Sequence, residues 1–297
     1  MEITWSDGID DYKQNKIIID PVTDKKVHHI TLKDVPADST KSYLDMAHGI
    51  LASKGKLNVL LSGGQDSELL LRTVMSLGLD YSVTTMKLLV DGCIVNTQDL
   101  YYSEMFCREN NVKQNIITLD VYDFFESEKY LNYLIPYSII EPHVATHFWM
   151  LEQCDDTPVF AGDYSWPWIE KSILSPHRLE YSSYSRFMLD NNINGISSFL
   201  NHSLELNMHL IDRHYHYYDD TTESGRFKSN LYSSLGVGEF VPRLRNSGWE
   251  GLTSKLFKKN KYKLELIKKL GITPSTIFWG EKIKTLLKSD VNKNHLY

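Results

Sequence analysis

From Leu57 to Gly162 short apolar runs alternate with amphipathic ones, and this constrains the fold more than any other feature of the chain. "LNVLLS" (57–62) has the unbroken apolar character of a buried parallel strand. Further strand-like runs occupy 81–90, 112–120 and 157–162, and helical runs 66–77, 97–111, 122–135 and 142–154. In the first helical run Leu70, Val74 and Leu77 share one face, and Gly78 supplies the stop. Strand and helix in alternation predict a parallel sheet covered by helices, and right-handed crossovers make it a doubly wound α/β sandwich. Upstream, 16–32 reads as a hairpin around a Pro/Asp turn. Residues 38–54 read as a helix with Ser39 or Thr40 as N-cap and Gly55 near its end. After Asp163 aromatic and helical segments dominate, with breaks near Pro176, Gly195, Gly225 and Gly236–Gly238.

Composition narrows the class. The net charge of −6 speaks against a general nucleic-acid binder, and there is no apolar run long enough to span a bilayer. The acidic start "MEITWSDGIDDYKQ" lacks the pattern of a signal peptide, so a cytoplasmic location is expected. Cys93, Cys107 and Cys154 are far apart and form no Cys-x-x-Cys pair, which suggests neither a zinc knuckle nor a disulfide framework.

The junction "SGGQDS" (62–67) carries the chemistry. A strand feeding a loop feeding a helix presents unpaired amides and the positive end of the helix dipole to an anion. Gly63 and Gly64 let the backbone approach a phosphate, and Ser62 and Ser67 add hydroxyls. Asp66 would repel a bare phosphate but suits a Mg²⁺ ion bridging it to one. The Walker A pattern is absent, since no lysine follows the glycines.

This hexapeptide resembles the Ser-Gly-Gly-x-Asp-Ser signature of the PP-loop ATP pyrophosphatases. The resemblance implies an adenine nucleotide α-hydrolase-like fold, with Ser62, Gly63, Gly64, Gln65, Asp66 and Ser67 holding the pyrophosphate part of ATP and Asp66 a Mg²⁺ ligand. It implies attack of a substrate oxygen on the α-phosphate, release of pyrophosphate, and displacement of AMP by a nitrogen or sulfur nucleophile.

Residues 36–170 further resemble the synthetase domain of asparagine synthetases and β-lactam synthetases. That match implies backbone contacts to adenine from Val83, Thr84 and Met86. "FAGDYSW" (160–166) resembles the family's second loop, with Gly162 near ATP and Asp163 beside the reacting centre, assisting deprotonation of an amine. The family's second carboxylate falls on Trp166, so Glu170 or Asp156 would have to supply that ligand, or the site has changed. Residue 2 is Glu rather than the cysteine of a glutaminase, which leaves free ammonia, another amine, or an ammonia-supplying partner as nitrogen source. The expected organisation is a hairpin extension (1–35), a PP-loop domain (36–170) and a helical substrate or lid region (171–297). The expected activity is an AMP-forming amide ligase acting on a small carboxylate and an amine. The alternatives are a PP-loop enzyme modifying a nucleic-acid base or tRNA, and a nucleotide-binding homologue without catalysis. Zinc-bearing deazaguanine nitrile synthases and thiolating branches fit poorly for want of matching cysteines. NAD synthetases stay open as a branch, although their later motifs are not found.

The family uses a C-terminal lysine to neutralise the reacting phosphate, and Lys228, Lys255 and Lys258 are candidates. The run "KLFKKNKYKLELIKKLG" (255–271) reads mainly as a solvated helix face. Arg243 and Arg245 are candidates for a substrate carboxylate. His143 and His147, four apart on a helix, are expected to pack rather than bind metal. "DRHYHYYDD" (212–220) reads as a surface or pocket-lining segment.

Overall fold

The computed structural model of the protein describes residues 2–5, 17–19, 26–31, 41–137, 139, 141–162, 179–203, 205–206, 209–210, 213, 224–243 and 259–271. In chain order its strands are β1 (Glu2–Trp5), β2 (Ile17–Ile19), β3 (Lys26–Thr31), β4 (Leu57–Leu60), β5 (Tyr81–Val90), β6 (Cys93–Ile94), β7 (Gln114–Asp120) and β8 (Thr157–Val159). The α-helices are α1 (Tyr43–Leu51), α2 (Gln65–Ser76), α3 (Thr97–Glu109), α4 (Val121–Glu126), α5 (Lys129–Leu134), α6 (Val144–Glu152), α7 (Leu179–Asp190), α8 (Ser224–Ser233) and α9 (Lys259–Lys269).

The expected hairpin is present as β2 and β3, and the acidic N-terminal stretch adds β1 to it. The three form an antiparallel sheet in the order β1-β3-β2. The expected helix starts later than Ser39 or Thr40. Ser42 caps α1 in a reciprocal box, its hydroxyl accepting from the Asp45 amide at 3.2 Å while Asp45 accepts from the Ser42 amide at 3.1 Å. The run 122–135 is two helices rather than one. Asp120 caps α4, the Ser127 amide closes its last turn on Asp123, and Glu128 takes a left-handed conformation before α5 begins.

In the main sheet β7, β5, β4 and β8 lie side by side and parallel. The short β6 folds back antiparallel on the end of β5, where β4 no longer covers it. Beyond β8, Ile196 forms a parallel bridge to Val159 and the Phe199 and Leu200 amides donate to Phe160 and Ala161. The end of the 157–162 run is therefore held by 196–200 rather than by β4.

Alternation along the strands sends side chains into two cores. Leu57, Val59, Leu61 and Val83 face one core with α1, α2, α3 and α8; Leu60, Leu88 and Val90 face the other with α4 to α7 and α9. Both faces of the sheet are thus covered, which makes the fold doubly wound α/β. Leu69, Leu70, Leu71 and Val74 of α2 are fully buried. A buried hydrogen bond from Tyr43 to Thr73 at 2.8 Å ties α1 to α2. No helix among the described residues is long and apolar enough to cross a membrane.

Candidate functional site

The chain leaves β4 toward β5 on one side, while β8 lies on the other. The carboxyl ends of β4 and β8 therefore flank the point where strand order reverses, the place where open α/β sheets bind ligands. "SGGQDS" follows β4 and Gly162 follows β8, so the fold brings the two sequence-predicted loops to that point.

The loop closes on itself through its serines. The Ser67 hydroxyl donates to the Gly64 carbonyl at 3.0 Å and accepts from the Ser62 amide at 3.1 Å. The Ser62 hydroxyl lies 3.0 Å from it and accepts from the Gly64 amide at 3.3 Å. Because the Ser67 proton is spent on Gly64, the Ser62 hydroxyl is the donor between the two serines. Gly63 has φ +79°, and a Cβ there would lie 2.1 Å from the Asp99 carbonyl oxygen at the start of α3. Only glycine fits on both grounds. Gly64 stands at the N-cap of α2 without a side-chain cap. Among the described residues no side chain caps the positive end of this helix, whose first turn carries Asp66 and Glu68.

A segment far along the chain meets this loop. Lys228 on α8 donates to both carboxylate oxygens of Asp66, at 2.8 and 2.7 Å, and Tyr232, one turn later, donates to the same carboxylate. The Gln65 side chain, buried, donates to Ser229 at 2.5 Å and to the Val241 carbonyl at 3.2 Å. Arg243 donates to the Gly63 carbonyl and to Glu68. Glu68 also accepts from Arg72 at 2.7 Å. Arg72 sits over the rings of Phe106 and Phe240, each 4.9 Å away, and Arg243 over Tyr102 at 4.6 Å. Burial pulls the Arg243 guanidinium down to about 10, which still leaves it charged at neutral pH. Arg72, Arg243 and Lys228 are here set against Glu68 and Asp66, and Glu109 also acts on Arg72.

The structure thus joins Ser62, Gly63, Gly64, Gln65, Asp66, Ser67 and Lys228 in one site. It gives Arg243 a different place from the one expected, since the guanidinium holds the loop instead of standing free for a substrate carboxylate. Ser229, Tyr232, Glu68 and the Val241 carbonyl went unnoticed in the sequence. The i, i+4 spacing of Lys228 and Tyr232 puts them on one helix face, but nothing local pairs that face with Asp66, 162 positions away.

Val83 and Thr84 are buried in β5, where Thr84 accepts from the Leu61 amide at 2.9 Å. The Met86 carbonyl accepts from Asn96 at 2.8 Å. Gly162 has φ +63°, and a Cβ there would lie 2.2 Å from the Ser198 hydroxyl, so 196–200 packs directly on the second loop. Asp163, Trp166, Glu170, Arg245, Lys255 and Lys258 lie outside the described residues, as does most of 212–220.

Asp156 cannot supply a metal ligand at this site. It precedes β8 and pairs with Lys56 at 3.0 Å and Ser82 at 2.8 Å, at the amino ends of the strands and so at the opposite end of the sheet. Among the described residues there is no group of three acid, histidine or cysteine ligands. Asp66 alone, completed by phosphate oxygens and water, is a sufficient protein contribution for Mg²⁺. The ion would share or take over the carboxylate that Lys228 holds.

His147 packs against Phe160 and shares a 2.5 Å hydrogen bond with Tyr184, as expected of a packing residue. In α9, Tyr262 and Leu266 are buried while Lys261 pairs with Glu126, Lys263 with Glu141 and Lys269 with Glu128. Three of the seven lysines of the 255–271 run are thus paired with acids of the α4–α6 region. The three cysteines are free.

Fold and loop together define the class: a doubly wound α/β protein with a glycine loop between strand and helix at the reversal point of its sheet. No protein-family model matches the chain, and no curated protein matches it. Among solved structures it is similar to a predicted subunit of tRNA methyltransferase from Methanocaldococcus jannaschii. Identity there is 17%, coverage 68% of this chain and 94% of that one, and the TM-score 0.33. It is also similar to NMN synthetase from Francisella tularensis, with 14% identity, 88% and 98% coverage, and a TM-score of 0.39.

Proposed function

We propose that the protein binds ATP with its pyrophosphate in the 62–67 loop and is an AMP-forming amide ligase. One observation carries the reading: the uncapped, glycine-lined start of α2 lies at the reversal point of the sheet with Lys228 set against Asp66. A carboxylate oxygen of the substrate attacks the α-phosphorus, the bond to the bridging α–β oxygen breaks, and pyrophosphate leaves. An amine then attacks the acyl carbon, its bond to the AMP oxygen breaks, and the amine's proton passes to a base, the role proposed for Asp163. Lys228 and the α2 amides stabilise the charge that gathers on the phosphates. Mg²⁺, held by Asp66, would neutralise the departing pyrophosphate. Val83, Thr84, Met86 and Gly162 are proposed to border the adenosine, and Lys255 remains a second candidate for the lysine role.

The test is incubation with α-labelled ATP, Mg²⁺ and pools of carboxylic acids and amines. Labelled AMP with stoichiometric pyrophosphate supports the reading, whereas labelled ADP refutes it. Pairing of Lys261, Lys263 and Lys269 with Glu126, Glu141 and Glu128 reduces the positive charge that α9 offers to tRNA in the alternative reading.

A further inference from the structure

Arg243 touches the anion loop at one backbone atom, the Gly63 carbonyl oxygen. In a trans peptide the carbonyl and the following N–H point in opposite directions. Holding the Gly63 carbonyl on one side therefore turns the Gly64 N–H to the other. There it meets the Ser62 hydroxyl at 3.3 Å, inside the serine ring. That contact is long for a hydrogen bond, so a phosphate oxygen displaces it at little cost. A glycine at φ +79° has no side chain to resist a peptide flip, and an external clamp is what keeps its peptide plane in one orientation.

The clamp is itself rigid. The Arg243 guanidinium is only 9% exposed, bonds to Glu68 with one terminal nitrogen and to Gly63 with the other, and lies over the Tyr102 ring. Glu68 is fixed in turn by Arg72. The Val241 carbonyl, two residues before Arg243, accepts from Gln65, so the segment meets the loop at a second point.

We propose that Arg243 is a positioning residue that orients the Gly63–Gly64 peptide so that the Gly64 amide faces a bound pyrophosphate. This rests on the reading that the loop takes the pyrophosphate part of ATP.

The experiment compares wild type with Arg243→Met and Arg243→Lys, using inorganic pyrophosphate, MgATP and AMP as titrants in calorimetry and ¹⁵N-glycine NMR. Wild type is expected to bind pyrophosphate with a shift of the Gly64 amide. Arg243→Met is expected to lose about tenfold in pyrophosphate and ATP affinity, about 1.4 kcal/mol, to lose the Gly64 shift, and to keep AMP affinity within twofold. If Arg243→Met does not fold, Arg243→Lys serves, with an expected loss of about threefold confined to pyrophosphate and ATP, because one ammonium cannot match the planar fork. Unchanged pyrophosphate binding, or equal loss for pyrophosphate and AMP, overturns the positioning role while the nucleotide reading stands. Wild type that binds neither pyrophosphate nor ATP refutes the nucleotide reading itself.

Discussion

The Lys228–Asp66 pair joins α8 to the glycine loop, and a double-mutant cycle measures it. The substitutions are Lys228→Met and Asp66→Asn, alone and together. Both side chains are mostly enclosed, with 17% and 22% of their surface exposed. Exposed pairs are worth about 0.2–1 kcal/mol, while breaking a fully buried pair costs about 3–5 kcal/mol. Two contacts of 2.7–2.8 Å at this intermediate depth place the coupling near ~2 kcal/mol. Lys228→Met alone should cost somewhat more, because it strands the carboxylate beside Tyr232. Asn at 66 keeps an acceptor for Tyr232, so the double variant should recover part of that loss. Urea unfolding of the four proteins gives the coupling directly. A coupling under about 0.5 kcal/mol would refute the strength assigned to this pair, leaving Ser229 and Tyr232 as the contacts that hold α8 to the loop. Pyrophosphate release by Lys228→Met should also fall by about 10²–10³-fold, as for loss of a group that stabilises charge in the transition state.

Gly63→Ala should destabilise by ~2–4 kcal/mol and abolish ATP binding, since the position holds a positive φ that alanine disfavours and the added methyl overlaps the Asp99 backbone, which cannot yield as a side chain would. Thermal unfolding and ATP calorimetry check both effects, and near-wild-type behaviour refutes the close approach of α3. His147 predicts a pH dependence, because burial lowers its pKa from the ordinary 6.5 to about 4. The unfolded chain then binds the extra proton between those values, so stability falls as pH drops from about 6.5 to about 4. The shift alone corresponds to ~3 kcal/mol, and the ring's remaining solvent contact reduces that to ~2 kcal/mol. His147→Gln should flatten the slope of unfolding free energy in that window, and an unchanged slope assigns it to other groups.

Element types in the 57–162 stretch were legible because each rests on a local pattern. The runs 81–90 and 66–77 match β5 and α2 closely, since unbroken apolar character and 3.6-residue spacing act within one element. The errors were local as well. Ser39 and Thr40 are as good caps by type as Ser42, and only the reciprocal partner Asp45 selects among them. The 122–135 run has helical spacing throughout, and the left-handed Glu128 that divides it carries no residue signature. Strand β1 is the exception, since its pairing partner β3 is distant in sequence and no local pattern marks it.

The strand–loop–helix junction at 62–67 was readable from six residues, since an apolar run ends there in two glycines and a helical run begins directly after them. Chain order along 57–162 was also sufficient for a doubly wound sheet, because crossover handedness leaves few alternatives. Tertiary structure alone decided what stands on the far side of the loop. Which lysine reaches Asp66, that Tyr232 and Ser229 share its helix face, and that Arg243 grips Gly63 instead of a substrate all depend on contacts between residues some 160 to 180 positions apart. Such contacts arise from the packing of α8 into the core that also holds α2. Packing of that kind is a property of the folded whole and has no short-range pattern to announce it.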